Sequence, residues 1–186
     1  MYQTKLMIHL ANVLYSDKRN LNKIKKIYES SFPSDERREF NKLIELLKDD
    51  RFQLKGVFVD DDSAGFISLW NFTEFMYVEH FAIANELRGN GLGTYVLQNI
   101  LNETPIKILL EVDLPSDSIS FKRIKYYEKF GFVICHQEYI QPPYGLGKDA
   151  VPMFIMSKPE INDYNEFRQI VKTLHSEVYH SPDFIE

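Results

Sequence analysis

A chain of 186 residues with 44% hydrophobic and 14% aromatic content fits one folded domain with an appended element, and excludes a disordered chain. A formal charge of −5, from 22 basic and 27 acidic residues, argues against nucleic acid as a main partner and suits a cationic small molecule. One cysteine, Cys135, excludes an internal disulfide, no apolar run reaches the ~20 residues of a membrane span, and Met1 to Leu10 lack a signal-peptide layout. A soluble cytoplasmic protein with no membrane partner is the expectation.

Met7 to Tyr15 is apolar and β-compatible, a candidate first strand. Ser16 or Asp17 then caps a helix through Ser30, with Leu21, Ile24, Ile27 and Tyr28 on one face. Phe32-Pro33-Ser34 breaks that helix, and Ser34 is expected to cap a second one with Asp35 and Glu36 in its first turn. Its buried stripe would be Phe40, Leu43, Ile44 and Leu47. Phe52 to Val59 and Gly65 to Phe72 read as a hairpin around Asp60-Asp61-Asp62-Ser63.

Phe75 to Ala84 is the next strand, followed by Arg88-Gly89-Asn90-Gly91-Leu92-Gly93 and an apolar-periodic helix to about Asn102. Ile106 to Leu114 reads as a strand buried on both faces. A helix opens within Ser116 to Ser120 and ends at Lys129, with Gly131 as a left-handed stop. Phe132 to Ile140 is read as one strand, Gln141 to Ala150 as an exposed loop, and Val151 to Ser157 as the last strand. After Pro159 an amphipathic helix carries Tyr164, Phe167, Ile170, Val171 and Leu174, and the residues from about Tyr179 are expected to fray. Mixed hairpins and crossovers imply an α/β fold whose sheet is partly antiparallel.

The glycine turn between strand and helix offers close backbone approach and helix N–H groups that suit a phosphate or pyrophosphate. A Walker A loop needs Lys-Ser/Thr after the last glycine, whereas Thr94 and Tyr95 follow here. Gly89, Gly91 and Gly93 give G-x-G-x-G, not the dinucleotide G-x-G-x-x-G. A methyltransferase loop binding S-adenosylmethionine would tolerate that spacing, with Glu111 or Asp113 near the ribose, but three strands and two helices already precede the loop.

Arg88-Gly89-Asn90-Gly91-Leu92-Gly93 matches R-x-x-G-x-G, and Tyr126-Tyr127-Glu128-Lys129-Phe130-Gly131-Phe132 places a helical Tyr four residues before Gly-Phe. In this order, the two motifs resemble those of the GNAT family of N-acetyltransferases, over roughly Phe52 to Ser157. The loop Gln141-Pro142-Pro143-Tyr144-Gly145 and Val151-Pro152-Met153 is similar to that of small bacterial members. The resemblance implies a mixed, mostly antiparallel GNAT-type α/β sheet flanked by helices, residues 1–159, with an extra C-terminal helix and tail, 160–186, packed on the same domain.

It also implies transfer of an acetyl group from acetyl-CoA directly to a primary amine, with no metal. Phe81, Ala82 and Ile83 would bind the pantetheine arm, and Arg88, Gly89, Asn90, Gly91, Leu92, Gly93 and Thr94 the pyrophosphate. The Arg88 side chain could contact phosphate or brace the loop. Tyr127 would protonate, or hydrogen-bond to, the departing CoA thiolate. Ser120, where the family often has Asn, would contact the cofactor or only cap its helix.

An amine of pKa ~10.4 costs about 4.6 kcal/mol to deprotonate at pH 7, which gives a general base a purpose. Members of the family place bases at sites resembling Glu111 and Glu79. These two stand level as candidates, His80 third, and a water chain without a single base is a further alternative. On strict alternation Glu79 shares a face with Tyr77, Phe81 and Ile83, and His80 with Val78 and Ala82. Lys122, Arg123, Lys125 and Lys129 form a solvated basic face from which one or two could meet the cofactor's 3′-phosphate, and Cys135 reads as a packed strand residue. A small-molecule amine acceptor is favoured over a protein, and the C-terminal helix could cover a sheet edge or form a homodimer surface. The non-enzymatic alternative is a GNAT-fold module that binds CoA without catalysis.

Overall fold

The computed structural model describes residues 7–181 and Phe184. Residues 1–6, part of the stretch read for a leader, and residues 182–183 and 185–186 of the expected fraying tail lie outside the described residues. The described chain divides into two compact units. One holds residues up to Pro33 and Glu39–Ile106; the other holds Ser34–Arg38 and the chain from Lys107 onward.

The first unit contains β1 (Ile8–Asn12), α1 (Lys18–Ser31), α2 (Phe40–Glu45), β2 (Phe52–Val59), β3 (Asp62–Asn71), β4 (Phe75–Ile83) and α3 (Leu92–Glu103). Its four strands pair antiparallel in chain order. The Asp17 carboxylate accepts from the Asn20 N–H at 3.2 Å and so caps α1, whose Leu21, Ile24, Ile27 and Tyr28 are the buried stripe read from the sequence. That stripe packs on β3 and β4. Each such side chain stabilises by roughly 1.5–3 kcal/mol relative to its exposed state. β3 is buried along most of its length, with Trp70 and Phe66 at 0% exposure. Gly65 sits where a Cβ would lie 2.5 Å from the Ala82 carbonyl oxygen, so close approach of β3 to β4 requires glycine there.

The second unit contains β5 (Lys107–Asp113), α4 (Ser118–Glu128), β6 (Val133–Ile134), β7 (Tyr139–Gln141), β8 (Val151–Lys158) and α5 (Tyr164–Thr173), which continues into a π-helical turn, Leu174–Val178. β8 is its central strand, antiparallel to β5, β6 and β7. A capping box starts α4. The Asp117 carboxylate accepts from the Ile119 and Ser120 N–H groups at 2.9 and 2.7 Å, while Ser120 Oγ accepts from the Asp117 N–H at 3.1 Å. Gly131, at φ +85°, closes the helix as expected. No helix among the described residues is long and apolar enough to cross a membrane.

Four expectations are corrected. Helix α2 begins only at Phe40, because the carbonyls that a helix from Ser34 would use internally are taken by side chains. Lys148 Nζ donates to Ser34 O at 2.6 Å and to Arg37 O, and Gln141 Nε2 donates to Asp35 O at 3.4 Å. Phe132–Ile140 is not one strand. Against β8, the four residues Cys135–Glu138 span a gap of only two, Phe154 and Ile155, so the chain bulges out at His136-Gln137-Glu138. The 141–150 loop is not simply exposed: Gln141, Pro142 and Tyr144 are buried. Tyr179, at 6% exposure, is packed rather than frayed.

Cys135 is buried, its Sγ lies 3.9 Å from Ser157 Oγ, and burial pushes its thiol up, all in keeping with a packed residue. Hydrogen bonds from Ser120, main chain first, hold the Asp117 carboxyl below its ordinary value. A depressed folded-state pKa means that the cap stabilises fully above the unfolded value of ~3.9 and is lost as pH falls through the lower folded one. Asp117→Ala should therefore lower the urea midpoint at pH 7, with the gap from wild type closing below about pH 4. A gap that persists unchanged in acid would contradict the charged cap.

Candidate active site

The residues singled out from the sequence fall into one group in each unit. In the first, β4 carries a β-bulge. Ser68 on β3 faces His80 while Leu69 faces Val78, which leaves Glu79 as the extra residue. Strict alternation therefore fails across this point, and Tyr77 and Val78 are both buried. The Glu79 side chain has 0% exposure. Its Oε2 accepts from Trp70 Nε1 at 2.9 Å, and its Oε1 lies 4.0 Å from His80 Nδ1. These polar neighbours offset the water that a buried carboxylate loses. The His80 N–H donates to Ser68 Oγ at 3.0 Å, and its ring packs edge-on against Tyr28 and Phe32.

Beyond the bulge β4 continues through Phe81, Ala82 and Ile83, paired with Ile67, Phe66 and Gly65. A 3-10 turn, Asn85–Leu87, then leads into the glycine turn. Gly89 and Gly91 lie at φ +82° and +79°, conformations that side chains rarely adopt. A Cβ at either position would meet no atom within 4 Å, so the backbone path demands glycine and the space beside it is open. Gly91 caps α3 and no side chain does, which leaves the first-turn N–H groups directed out of the helix. Arg88 braces this turn. Its Nε donates to Ile83 O at 2.9 Å and its Nη2 to Ser31 Oγ at 3.2 Å. These two bonds are the bracing contacts read for that side chain.

In the second unit Glu111, on β5 opposite Ile155, accepts two tyrosine hydroxyls. Tyr139 donates to Oε1, and Tyr179 donates to Oε2 at 2.6 Å. Both tyrosines are buried, at 2% and 6% exposure. Burial, then the charge of Glu111, pushes the Tyr139 phenol well above its ordinary value, so it remains a donor. The Tyr179 ring lies 4.9 Å from that of Tyr144, over which the Arg38 guanidinium stacks at 4.8 Å. None of Tyr139, Tyr179, Tyr144 and Arg38 is singled out by the sequence alone. Tyr144 has the one sequence signal, a tyrosine in a proline-rich loop.

Tyr127 lies on the buried side of α4, edge-on to Tyr126 and Phe132, with its carbonyl accepting from the Phe130 and Phe132 N–H groups. Burial pushes its hydroxyl up to about 12, against a smaller opposing effect of Arg123. Ser120 is committed to the capping box. Arg123 pairs with Asp113 and Lys125 with Glu128, which leaves the rest of that basic face solvated. Burial first, then Asp113, raises the Glu36 carboxyl, with Arg123 opposing. Among the described residues no cluster of His, Cys, Asp and Glu could hold a metal.

Known proteins sharpen this picture. The model of the acetyltransferase (GNAT) family matches residues 21–132. A solved GNAT-family protein from Bacteroides thetaiotaomicron is 33% identical, superposes with a TM-score of 0.86, and is matched over 92% of this chain and 98% of its own. Arabidopsis thaliana Naa50, solved with a bisubstrate analogue, CoA-Ac-MVNAL, is 20% identical at a TM-score of 0.62, over 82% of this chain and 99% of its own. An aminoglycoside 6′-N-acetyltransferase complexed with coenzyme A is 16% identical at a TM-score of 0.62, over 83% and 99%. No curated protein sequence matches the chain. The fold is the expected one, a mixed, mostly antiparallel α/β sheet flanked by helices with a further C-terminal helix. The chain belongs to the GNAT family of acetyltransferases.

Proposed function

We propose that the chain is an acetyl-CoA-dependent N-acetyltransferase that moves an acetyl group directly to a primary amine. The observation that carries this reading is the left-handed pair Gly89 and Gly91, open on their Cβ sides, at the start of a helix that no side chain caps. Such a place suits a pyrophosphate. The N–H groups of Gly89, Asn90, Gly91, Leu92, Gly93 and Thr94 would hold it, since that of Arg88 turns to Asn85 O at 3.3 Å. Phe81, Ala82 and Ile83 would hold the pantetheine arm through main-chain hydrogen bonds. The two solved relatives that carry CoA or a CoA analogue support the same donor. Acetyl-CoA supplies the acetyl group as an activated thioester.

Tyr127 is the proposed donor to the departing thiolate. Burial holds the proton on Tyr127, pushing its hydroxyl up to about 12, which favours hydrogen-bond donation over complete proton transfer. Tyr127 therefore acts as a hydrogen-bond donor, and as the C–S bond breaks the thiolate takes up the proton that the amine nitrogen loses on forming the amide. Glu111 is the proposed base that relieves the amine of its proton. Glu79 is the weaker candidate because its side chain is fully buried. Ser120 serves as a cap in this reading. The acceptor is a cationic small-molecule amine, in keeping with the net charge of −5 and with the acids Asp113 and Asp35, which both act on Glu36 in the second unit.

Incubation with acetyl-CoA and a panel of spermidine, kanamycin, lysine and a peptide with a free N-terminus should release CoA thiol above the no-amine background. CoA binding without release would leave the non-catalytic module. A thermal shift with S-adenosylmethionine but none with CoA would restore the methyltransferase reading. Tyr127→Phe should lower turnover by roughly a hundredfold or more while CoA affinity stays within about twofold. An unchanged rate removes Tyr127 from the mechanism.

A further inference from the structure

We infer that Tyr179, delivered by the π-helical turn after α5, is a positioning residue for Glu111, so that the C-terminal segment is part of the acceptor side of the site. The inference rests on the acetyltransferase reading and on Glu111 as its base. Two buried hydroxyls from elements far apart in sequence, Tyr139 on β7 and Tyr179 past α5, converge on opposite oxygens of one carboxylate. A carboxylate gripped at both oxygens is fixed in plane and rotation as well as in position, which a base for a bound amine requires.

The turn that presents Tyr179 is itself held in place. The Tyr179 N–H donates to Leu174 O at 3.1 Å, the i to i+5 spacing of a π turn, and this widening sets where the ring emerges. Arg38 Nη2 donates to Val178 O at 2.9 Å. The same guanidinium covers Tyr144, whose ring lies against Tyr179, while the Ser181 N–H donates to His175 O at 2.8 Å. A helix that only covered a sheet edge would need its apolar stripe, Phe167, Ile170 and Leu174, and no hydroxyl aimed at a strand carboxylate.

The test uses the full chain with Tyr179→Phe, which keeps the ring packing and removes only the donor, and Tyr139→Phe as a second variant. Carboxyl-carbon NMR follows the Glu111 titration, assigned by the resonance lost in Glu111→Gln. Loss of a donor to the charged form should move the Glu111 midpoint to higher pH, and the acidic limb of kcat/KM should move with it. With whichever panel amine turns over fastest, kcat/KM should fall roughly tenfold at neutral pH with CoA affinity unchanged. A Glu111 midpoint unmoved in both folded variants overturns the inference. If Glu111→Gln keeps the full rate while Tyr179→Phe still moves the midpoint, the base assignment fails and the positioning role with it. Failure of all four amines to release thiol removes the underlying reading.

Discussion

A strand carboxylate drawn out of water is tolerated only where donors replace the water it gives up, and each unit meets that demand at one position. In the first, an extra residue in β4 takes Glu79 out of the pairing register, and the neighbouring strand supplies the Trp70 N–H. In the second, Glu111 stands opposite the apolar Ile155 of β8. Its donors come instead from β7 and from the turn after α5. The bulge before Tyr139 and the π turn before Tyr179 are both departures from regular geometry, and each precedes a hydroxyl that reaches the same carboxylate.

The glycine turn shows a division of labour between backbone and side chains. Positive φ at Gly89 and Gly91 shapes the loop, while Arg88 ties it to the end of β4 and to α1. The peptide N–H groups of the turn add their own partial charge to that of the guanidinium. A guanidinium bonded to a main-chain and a hydroxyl oxygen acts as a strut that orders the loop.

What could be read in advance was whatever is encoded over a few residues. The stripe of α1, its Asp17 cap, the hairpin at Asp60, the glycine turn and the Gly131 stop all have local causes, and all were legible. So was the family, because its two motifs are local too. Illegible features depend on partners distant in sequence. Ser34 followed by two acids has the chemistry of a helix start, yet Lys148 and Gln141 take the carbonyls such a helix would use. The Glu79 bulge is invisible in a run of alternating residues, since it belongs to the pairing with β3. Tyr179 looked like a frayed end because nothing near it in sequence announces a carboxylate 68 residues earlier.

The short segment Ser34–Arg38 also bears on how the chain acquires its structure. Although both flanks belong to the first unit, three of the bonds it makes span 106, 114 and 140 residues, to Gln141, Lys148 and Val178. The hairpin strands around it need only near neighbours and can form while the later chain is still being made. The segment itself has no such option, because loop closure on this scale must await the far partners. Growth from the ribosome would thus leave this stretch waiting for partners more than a hundred residues downstream.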